Sequence, residues 1–567
     1  HFTIHSFPTR RSSDLPAVAL ARMVFRDPEM YRGNRTGSCT GSVREPGGFC
    51  LLFRPLFQSH FPLEATLDTR RRVRFAPSPT GSLHVGGART ALFNYLFARH
   101  CKGTFILRIE DTDRKRFQEH ALEEILTSLR WLGLEWDEGP ERGGDYGPYV
   151  QSERSDLYRE HAERLMAEGH AYRCFCTPER LAQVRKEQEQ AGAAHVSGYD
   201  RHCRELPAAR VRELTEQGAR SVVRLKVPLE RRSITFHDLV RGDIEYKTEV
   251  LDDLVLLKSD GFPTYHLANV VDDHFMGITD VLRGDEWIAS TPRHILLYEA
   301  FGWEPPAFAH MPVILAPGGG KLSKRKGAAS VIDFRRDGIL PETLFNFLAL
   351  LGWAPGDDRE IMSREEIVEA FDLKRISPKA AVFDERKLEW MNGQYLARRS
   401  VDSLIDHVRE IWAETGTGQE GRAADESYVR RVIELMKGRS RRIRDIAENT
   451  GYFFEDPQEY EAKAVKKHIK AGTLALMQEL ERIVEAVEPF DTAQLEKEYR
   501  RFAEEREVST GKLIHPTRLA LSGVSFGPGL FELMELLGRE TVLRRMRRAR
   551  EHLGGAGMGG RADSGRE

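Results

Sequence analysis

Four groups of residues have types and spacings that could do chemistry. His84-Val85-Gly86-Gly87 follows a tight turn, Pro77 to Gly81, and opens a run with Ala88, Ala91, Leu92, Tyr95 and Leu96 on one helical face. A glycine-bearing turn at a helix start lets backbone approach an anion, and the free N–H groups and helix dipole favour phosphate there. His84 can add a hydrogen bond to a phosphate oxygen. Gly318 to Gly320 lead into a basic loop, Lys321-Leu322-Ser323-Lys324-Arg325-Lys326. Its two lysines, three positions apart, can close over a triphosphate and neutralise charge developing on a leaving group. Glu110, in the run Arg108 to Asp113, and Arg283, just before Asp285 and Glu286, are a carboxylate and a guanidinium suited to an ammonium and a carboxylate. Cys174 and Cys176, with Cys203 downstream, are three thiols that can hold a tetrahedral structural zinc ion with one further donor.

The elements that must position these groups alternate. Val73 to Ala76 reads as a strand before the His84 turn, and Thr104 to Glu110 as a second strand after the helix. In a parallel sheet ligands lie beyond the carboxyl ends of strands, where Glu110 would sit. Asp111 and Asp113 could instead cap the following helix, which carries Leu122, Ile125, Leu126 and Leu129 and stops at Gly133. The pattern returns at Asp253 to Lys258, continues through Gly261 to His274, and gives another strand at Ile278 to Leu282. Thr291 as N-cap and Pro292 at the first helical position start a helix ending at Gly302. This predicts a mostly parallel sheet with helices on both faces. Beyond Phe334 helices predominate. Leu404, Val408, Ile411 and Trp412, then Val429, Val432, Ile433 and Met436, have helical spacing, so the C-terminal region reads as all-α.

The chain has 567 residues, too many for one core, with 40% hydrophobic and 30% charged residues, the balance of a globular protein of several domains. Its longest apolar runs are too short or too polar to span a bilayer. A net charge of −2 argues against a passive nucleic-acid coat and leaves room for a local basic face. Six cysteines in this length make no disulfide framework and point to a reducing cytosol. Residues 1–72 lack sustained periodicity; Ser6 to Leu15 resembles translated adapter read-through, a reading preferred to a transit peptide because Asp14, Asp27, Glu29 and Glu45 are present.

APSPTGSLHVGGART (Ala76 to Thr90) resembles the first signature of the glutamyl- and glutaminyl-tRNA synthetases, a class I aminoacyl-tRNA synthetase family, and KLSKR (Lys321 to Arg325) resembles the second. The resemblance covers roughly Val73 to Leu553. It implies a Rossmann-like α/β catalytic domain in two halves, 73–150 and 253–315, split by an acceptor-stem-binding insertion at 151–252. A stem-contact region (316–396), an all-α anticodon-binding region (397–553) and a disordered tail (554–567) follow. The resemblance implies that His84, Gly86, Lys321 and Lys324 do the adenylating chemistry and, with Glu286 and Ser323, bind ATP. Arg74, Ala76, Ser78, Glu110, Tyr265, Asn269, Arg283 and Trp287 would bind the amino acid. The glutaminyl relatives lack arginine at the position of Arg283, which with the helical C-terminus points to a bacterial-type glutamyl enzyme. Expected substrates are L-glutamate, ATP with Mg2+, and tRNA(Glu), with tRNA(Gln) left open; no covalent enzyme intermediate is required. CxC…YxxxC resembles the zinc-bearing subset, with Tyr199 as fourth ligand of Cys174, Cys176 and Cys203; His202 is the chemically more ordinary alternative. Arg439 best fits the anticodon-reading position. A cytoplasmic monomer, free of membrane, completes the expectation.

Overall fold

Val73 and Phe75 are buried and alternate with arginines in strand β1 (Arg72–Phe75), which leads into α1 (Val85–His100) and β2 (Thr104–Leu107). Arg72 to Phe75 pair in parallel register with Thr104 to Leu107, closing a βαβ unit around the His84 turn. These positions belong to a computed structural model that describes residues 70–113, 116–192, 198–320, 322, 330–415 and 425–556. The upstream segment to residue 69 and the lysine-loop residues Lys321, Ser323 and Lys324 lie outside the described residues. The fold begins slightly earlier than expected: Arg71 and Arg72 are tied to Asp280 and Glu138, at 3.4 and 2.7 Å.

Helix α2 (Glu119–Trp131) buries Ile125, Leu126 and Leu129 and is followed by Gly133 at φ +67. Its N-cap is Gln118, so neither Asp111 nor Asp113 caps it. Asp111 accepts from the Ser152 N–H at 2.8 Å, and Asp113 pairs with Arg116 at 2.6 Å. The chain then runs through α3 (Ser155–Ala167), β3 (Ala171–Cys174), α4 (Pro178–Gln190), α5 (Ala208–Glu216), β4 (Val222–Leu225), the hairpin β5 (Ser233–Asp238) and β6 (Gly242–Lys247), and β7 (Val255–Leu257). It continues with α6 (Tyr265–Phe275), β8 (Asp280–Gly284), α7 (Thr291–Phe301) and β9 (Ala307–Met311).

Strands β8 and β9 form the second parallel pair, and the Thr279 N–H just before β8 donates to Arg72 O at 2.9 Å, so the two pairs adjoin. Two strands change places relative to the sequence reading. β7, read as part of the second nucleotide half, pairs antiparallel with β4 in the sheet β3-β4-β7. β5, inside the stretch read as an insertion, lies parallel to β9 and brings β6 with it, giving the order β6-β5-β9-β8. Residue pattern reports which faces of a strand are buried and leaves its neighbour undetermined. Thr291 is the first residue of α7, and the N-cap is Ser290.

Beyond β9, β10 (Ile314–Leu315), α8 (Val331–Arg336), α9 (Pro341–Leu350), α10 (Arg364–Ala370), β11 (Ala381–Val382) and α11 (Glu385–Arg398) pack on α1 and its sheet in one apolar core. β10 pairs with β11, and Asp384 caps α11 through the N–H groups of Arg386 and Lys387. The remaining elements are helical: α12 (Ile405–Thr415), α13 (Glu426–Lys437), α14 (Ile443–Glu448), α15 (Ala462–His468), α16 (Thr473–Ala486), α17 (Thr492–Glu505), α18 (Gly511–Ser522), α19 (Leu530–Leu537) and α20 (Arg539–Ala556). Val408, Trp412, Val432 and Ile433 are fully buried in their shared core, as their spacing requires. α20 passes the limit at 554 expected for a tail; residues 557–567 lie outside the described residues. No helix among the described residues is long and apolar enough to cross a membrane.

Candidate active site

A cavity of about 1310 Å³ opens where β1, β2 and β8 end and α1 and α6 begin. It is lined by His84 and Gly86 from the glycine turn, Arg74, Ala76 and Ser78 from the end of β1, and Glu110 after β2. Tyr265 and Asn269 from α6 and Arg283, Glu286 and Trp287 from and after β8 complete the expected set.

His84 is the N-cap of α1, and its Nδ1 accepts from the Gly87 N–H at 3.3 Å. An accepting Nδ1 leaves the neutral ring's proton on Nε2, the tautomer that can donate to an anion. The glycines keep this turn compact: a Cβ at Gly87 would meet Leu83 Cδ1 at 2.9 Å, and one at Gly86 would press the His84 ring at 3.3 Å. Both anchors of the lysine loop reach this place. Leu322 lines the cavity and its N–H donates to Ile314 O at 2.9 Å; Ser330 forms a β-bridge with His84. The described residues flanking the lysine loop, remote in sequence from His84, therefore meet it at the cavity.

Two arginines of the cavity have opposite surroundings. Arg74 is clamped by Asp273, Nε to Oδ1 at 3.0 Å and Nη2 to Oδ2 at 3.2 Å. Buried Arg108 continues the network, 2.7 Å from Asp273 and 3.1 Å from Glu110. Although burial alone would raise the Asp273 carboxyl, Arg74 and Arg108 hold it below its ordinary range. Burial pushes Glu110 up despite Arg108 and Arg74, which favour its charged form. The Asn269 amide oxygen, turned to the guanidinium groups, accepts from Arg108 at 3.1 Å and Arg74 at 3.3 Å.

Arg283 is 5% exposed and, among the described residues, bonds only neutral partners. Nε donates to His310 Nε2 at 3.0 Å, Nη1 to the Tyr265 hydroxyl at 3.0 Å, and Nη2 to Thr291 Oγ1 at 2.8 Å; Nη1 also lies 3.4 Å from His294 Nδ1. No carboxylate among the described residues forms an ion pair with it; Asp285, two residues on in the chain, is bound to Arg241 at 2.8 Å. Burial, reinforced by Arg283 and His266, holds His294 well below the ordinary histidine range, and burial with Arg293 and Arg283 takes His266 to about 4. The rings beside Arg283 are neutral. A buried cation without an ion-pair partner is a site for an anion. Trp287, 37% exposed, stands with its ring 4.3 Å from that of Tyr265 and walls the mouth.

Asp273, Arg108, His294 and His310 were not singled out from sequence, and Thr291 was read only as a helix cap. Nor was Arg89, whose buried guanidinium donates to Leu351 O at 3.1 Å and to Pro312 O, joining α1 to the loop after β9. For the aspartates the available signal was an acidic pair inside an otherwise apolar helix, Asp272-Asp273 of α6.

A second cluster lies where β3 leads into α4. The sulfurs of Cys174, Cys176 and Cys203 are within 4.8 Å of one another. Tyr199 is buried beside them, its hydroxyl accepting from the Cys203 N–H at 3.3 Å, whereas His202 is exposed and outside the group. The hydrogen bond from Cys203 pulls the Cys174 thiol down, while burial raises Cys176 and the bond to Cys174 raises Cys203, so one thiolate is favoured in the trio. In the helical region, Lys437, Arg441, Arg442 and Arg444 of the basic cluster are paired with Glu434, Glu389, Glu389 and Glu448. Arg439 is exposed, and no ion pair engages it among the described residues.

Known proteins match this arrangement. Residues 71–390 match the catalytic domain of the class I tRNA synthetases (E and Q), and residues 403–550 an anticodon binding domain. The chain belongs to the class I tRNA synthetases of the E and Q type. A glutamate–tRNA ligase of Moorella thermoacetica is 48% identical over 480 residues, covering 84% of this chain and 97% of that protein. Glutamate–tRNA ligase 1 of Syntrophomonas wolfei is 47% identical over 84% of this chain and 96% of its own. The crystal structure of a glutamate tRNA ligase from Elizabethkingia meningosepticum, in complex with its amino acid, aligns with a TM-score of 0.77 at 40% identity. It covers 85% of this chain and 100% of that one.

Proposed function

We propose that this chain is a glutamate–tRNA ligase: it activates L-glutamate with ATP and transfers the glutamyl group to the 3′-terminal adenosine of tRNA(Glu). The observation that carries glutamate is Arg283, a buried guanidinium held by neutral groups and open to the cavity. A side-chain carboxylate supplies the missing charge; the amide of glutamine does not. Arg74 and Asn269 then orient the substrate's carboxylates, Glu110 and Tyr265 receive its ammonium end, and Ala76, Ser78 and Trp287 shape the pocket.

In the first step an oxygen of the α-carboxylate attacks the α-phosphorus of ATP, and the bond to the β-phosphate oxygen breaks, releasing pyrophosphate. The His84 Nε2–H, the first N–H groups of α1 beside Gly86, and Lys321 and Lys324 stabilise the charge that develops; Ser323 and Glu286 belong to the nucleotide pocket. In the second step a ribose hydroxyl of the terminal adenosine attacks the acyl carbon, and AMP leaves. Positioning and electrostatics suffice, with no enzyme nucleophile. Mg2+ accompanies ATP, held by phosphates and water and supplying charge neutralisation.

Cys174, Cys176, Cys203 and Tyr199 would hold a structural Zn2+; the gathered thiols and the buried phenol support this set over one with His202. Residues 151–252 would receive the acceptor end, residues 316–396 the stem and residues 397–553 the anticodon. Arg439, left out of the local ion pairs among the described residues, is the best candidate to reach a base. The enzyme would act as a cytoplasmic monomer. The test is charging of purified tRNA(Glu) and tRNA(Gln), side by side, with labelled glutamate and ATP. Glutamyl-tRNA(Glu) is expected; its absence would overturn the reading, and the tRNA(Gln) arm decides whether that tRNA is also a substrate.

A further inference from the structure

We propose that Asp238 and His310 form a positioning relay that sets the Arg283 guanidinium for the substrate's side-chain carboxylate. The inference rests on the reading that Arg283 meets that carboxylate. Its starting point is strand register. Arg283 on β8 and His310 on β9 are directly paired in the parallel ladder, so their side chains leave the sheet on one face. Asp238 ends β5, paired with Phe308, two residues before His310 on the next strand. All three residues are at most 5% exposed.

The hydrogen bonds then have one consistent assignment. Asp238 Oδ1 accepts from the N–H groups of Val240 and Arg241 at 3.0 and 2.9 Å, and Oδ2 accepts from the His310 backbone N–H at 3.1 Å. His310 Nδ1 lies 2.6 Å from Asp238 Oδ2, where a carboxylate requires a proton on Nδ1. The neutral ring therefore presents a lone pair on Nε2, which accepts the Arg283 Nε–H at 3.0 Å. Burial, against the pull of Asp238, lowers the His310 ring below the ordinary range and keeps it neutral. The consequence is geometric. Asp238 offers compensating charge one imidazole away from the guanidinium, without occupying the fork as Asp273 occupies that of Arg74. His310 fixes the Nε edge, while Nη1 bonds Tyr265 and Nη2 bonds Thr291 at the cavity wall that Arg283 lines. A strand from the stretch between the two catalytic halves thereby contributes to amino-acid selection.

Asp238→Asn tests the relay. An amide NH2 facing Nδ1 would move the ring proton to Nε2, where it opposes the Arg283 N–H. With the full-length zinc-loaded enzyme, we expect KM for glutamate to rise about tenfold, the scale of one charge-assisted hydrogen bond. The preference for glutamate over glutamine should fall by a similar factor, while KM for ATP and tRNA stays within about twofold. His310→Phe should reproduce the effect. His310→Gln, which restores an amide oxygen and NH2, should recover part of it, a rescue a purely structural role would not give. If either His310 variant is the only one that folds, the same constants decide. A glutamate KM within about twofold of wild type in an active enzyme refutes the relay and leaves the ligase reading intact. Equal rises in all three KM values refute it as general damage. A wild-type enzyme without glutamate-dependent activity refutes the ligase reading, and the relay with it.

Discussion

The catalytic cavity and the helical C-terminal region handle charge in opposite ways. Around the cavity, Arg74, Arg108, Asp272 and Asp273 are almost completely buried and share a network, and Arg283 is buried with, among the described residues, neutral partners only. In the helical region the core is apolar around Trp412, and arginines such as Arg430, Arg500 and Arg544 pair at partly exposed positions. Buried charge is costly unless paired. Among the described residues Arg89 and Arg283 both line the cavity without an ion pair. Arg89 is held by the Leu351 and Pro312 carbonyls, whereas Arg283, held mainly by neutral side chains, points to a binding role. Surface pairs contribute little each, so the informative residue there is one that the pairs leave out, Arg439.

The contrast can be broken most forcefully at Arg283. Arg283→Gln should lower kcat/KM for glutamate by about a thousandfold, two charge-assisted bonds of ~2 kcal/mol each, without lowering the thermal midpoint, because a buried cation is removed. The reverse pattern is expected for Trp412, 0% exposed, whose Nε1 donates to Ala447 O at 2.9 Å. Trp412→Ala should cost about 3–5 kcal/mol, read as faster hydrogen exchange confined to the helical region. A smaller effect is predicted for Arg439→Ala: KM for tRNA rises by about tenfold or less, with glutamate and ATP constants and stability unchanged. An equal loss on Arg441→Ala, a paired neighbour, would remove the reason for singling Arg439 out.

The smallest effect concerns Asp456, which bonds Arg544 at 2.7 Å and Arg545 at 2.7 Å, joining the segment before α15 to α20. The Arg544 hydrogen bond, with Arg545, takes its carboxyl down to about 2. A depressed carboxylate stabilises the fold above its unfolded pKa and loses that contribution as pH falls towards the folded value. With solvent screening at this partly exposed site, Asp456→Asn should cost about 1 kcal/mol near pH 7, and the difference from wild type should vanish between about pH 4 and pH 2 in denaturant titrations.

The cavity was largely legible because its residues sit in short segments where local type and spacing carry meaning: His84 before two glycines, Glu110 after a strand, Arg283 at a strand's end. His310 and Asp238 were not legible, since they matter through cross-strand contacts across 27 and 72 residues, which no local pattern reports. The same limit misassigned β7 and β5. Helical periodicity located α12 and α13 because their buried faces repeat along one element, yet it encodes packing alone and leaves the RNA-facing surface unmarked. Thr291 shows a local rule overridden: a residue suited to capping sits one position inside the helix and gives its hydroxyl to Arg283.

The most direct test of the central claim, that a buried guanidinium without an ion-pair partner selects a carboxylate, is ATP–pyrophosphate exchange with glutamate and with glutamine, each at saturating tRNA(Glu). The account predicts exchange with glutamate at least about a thousandfold more efficient than with glutamine. Equal exchange with both, or exchange with glutamine alone, would contradict it.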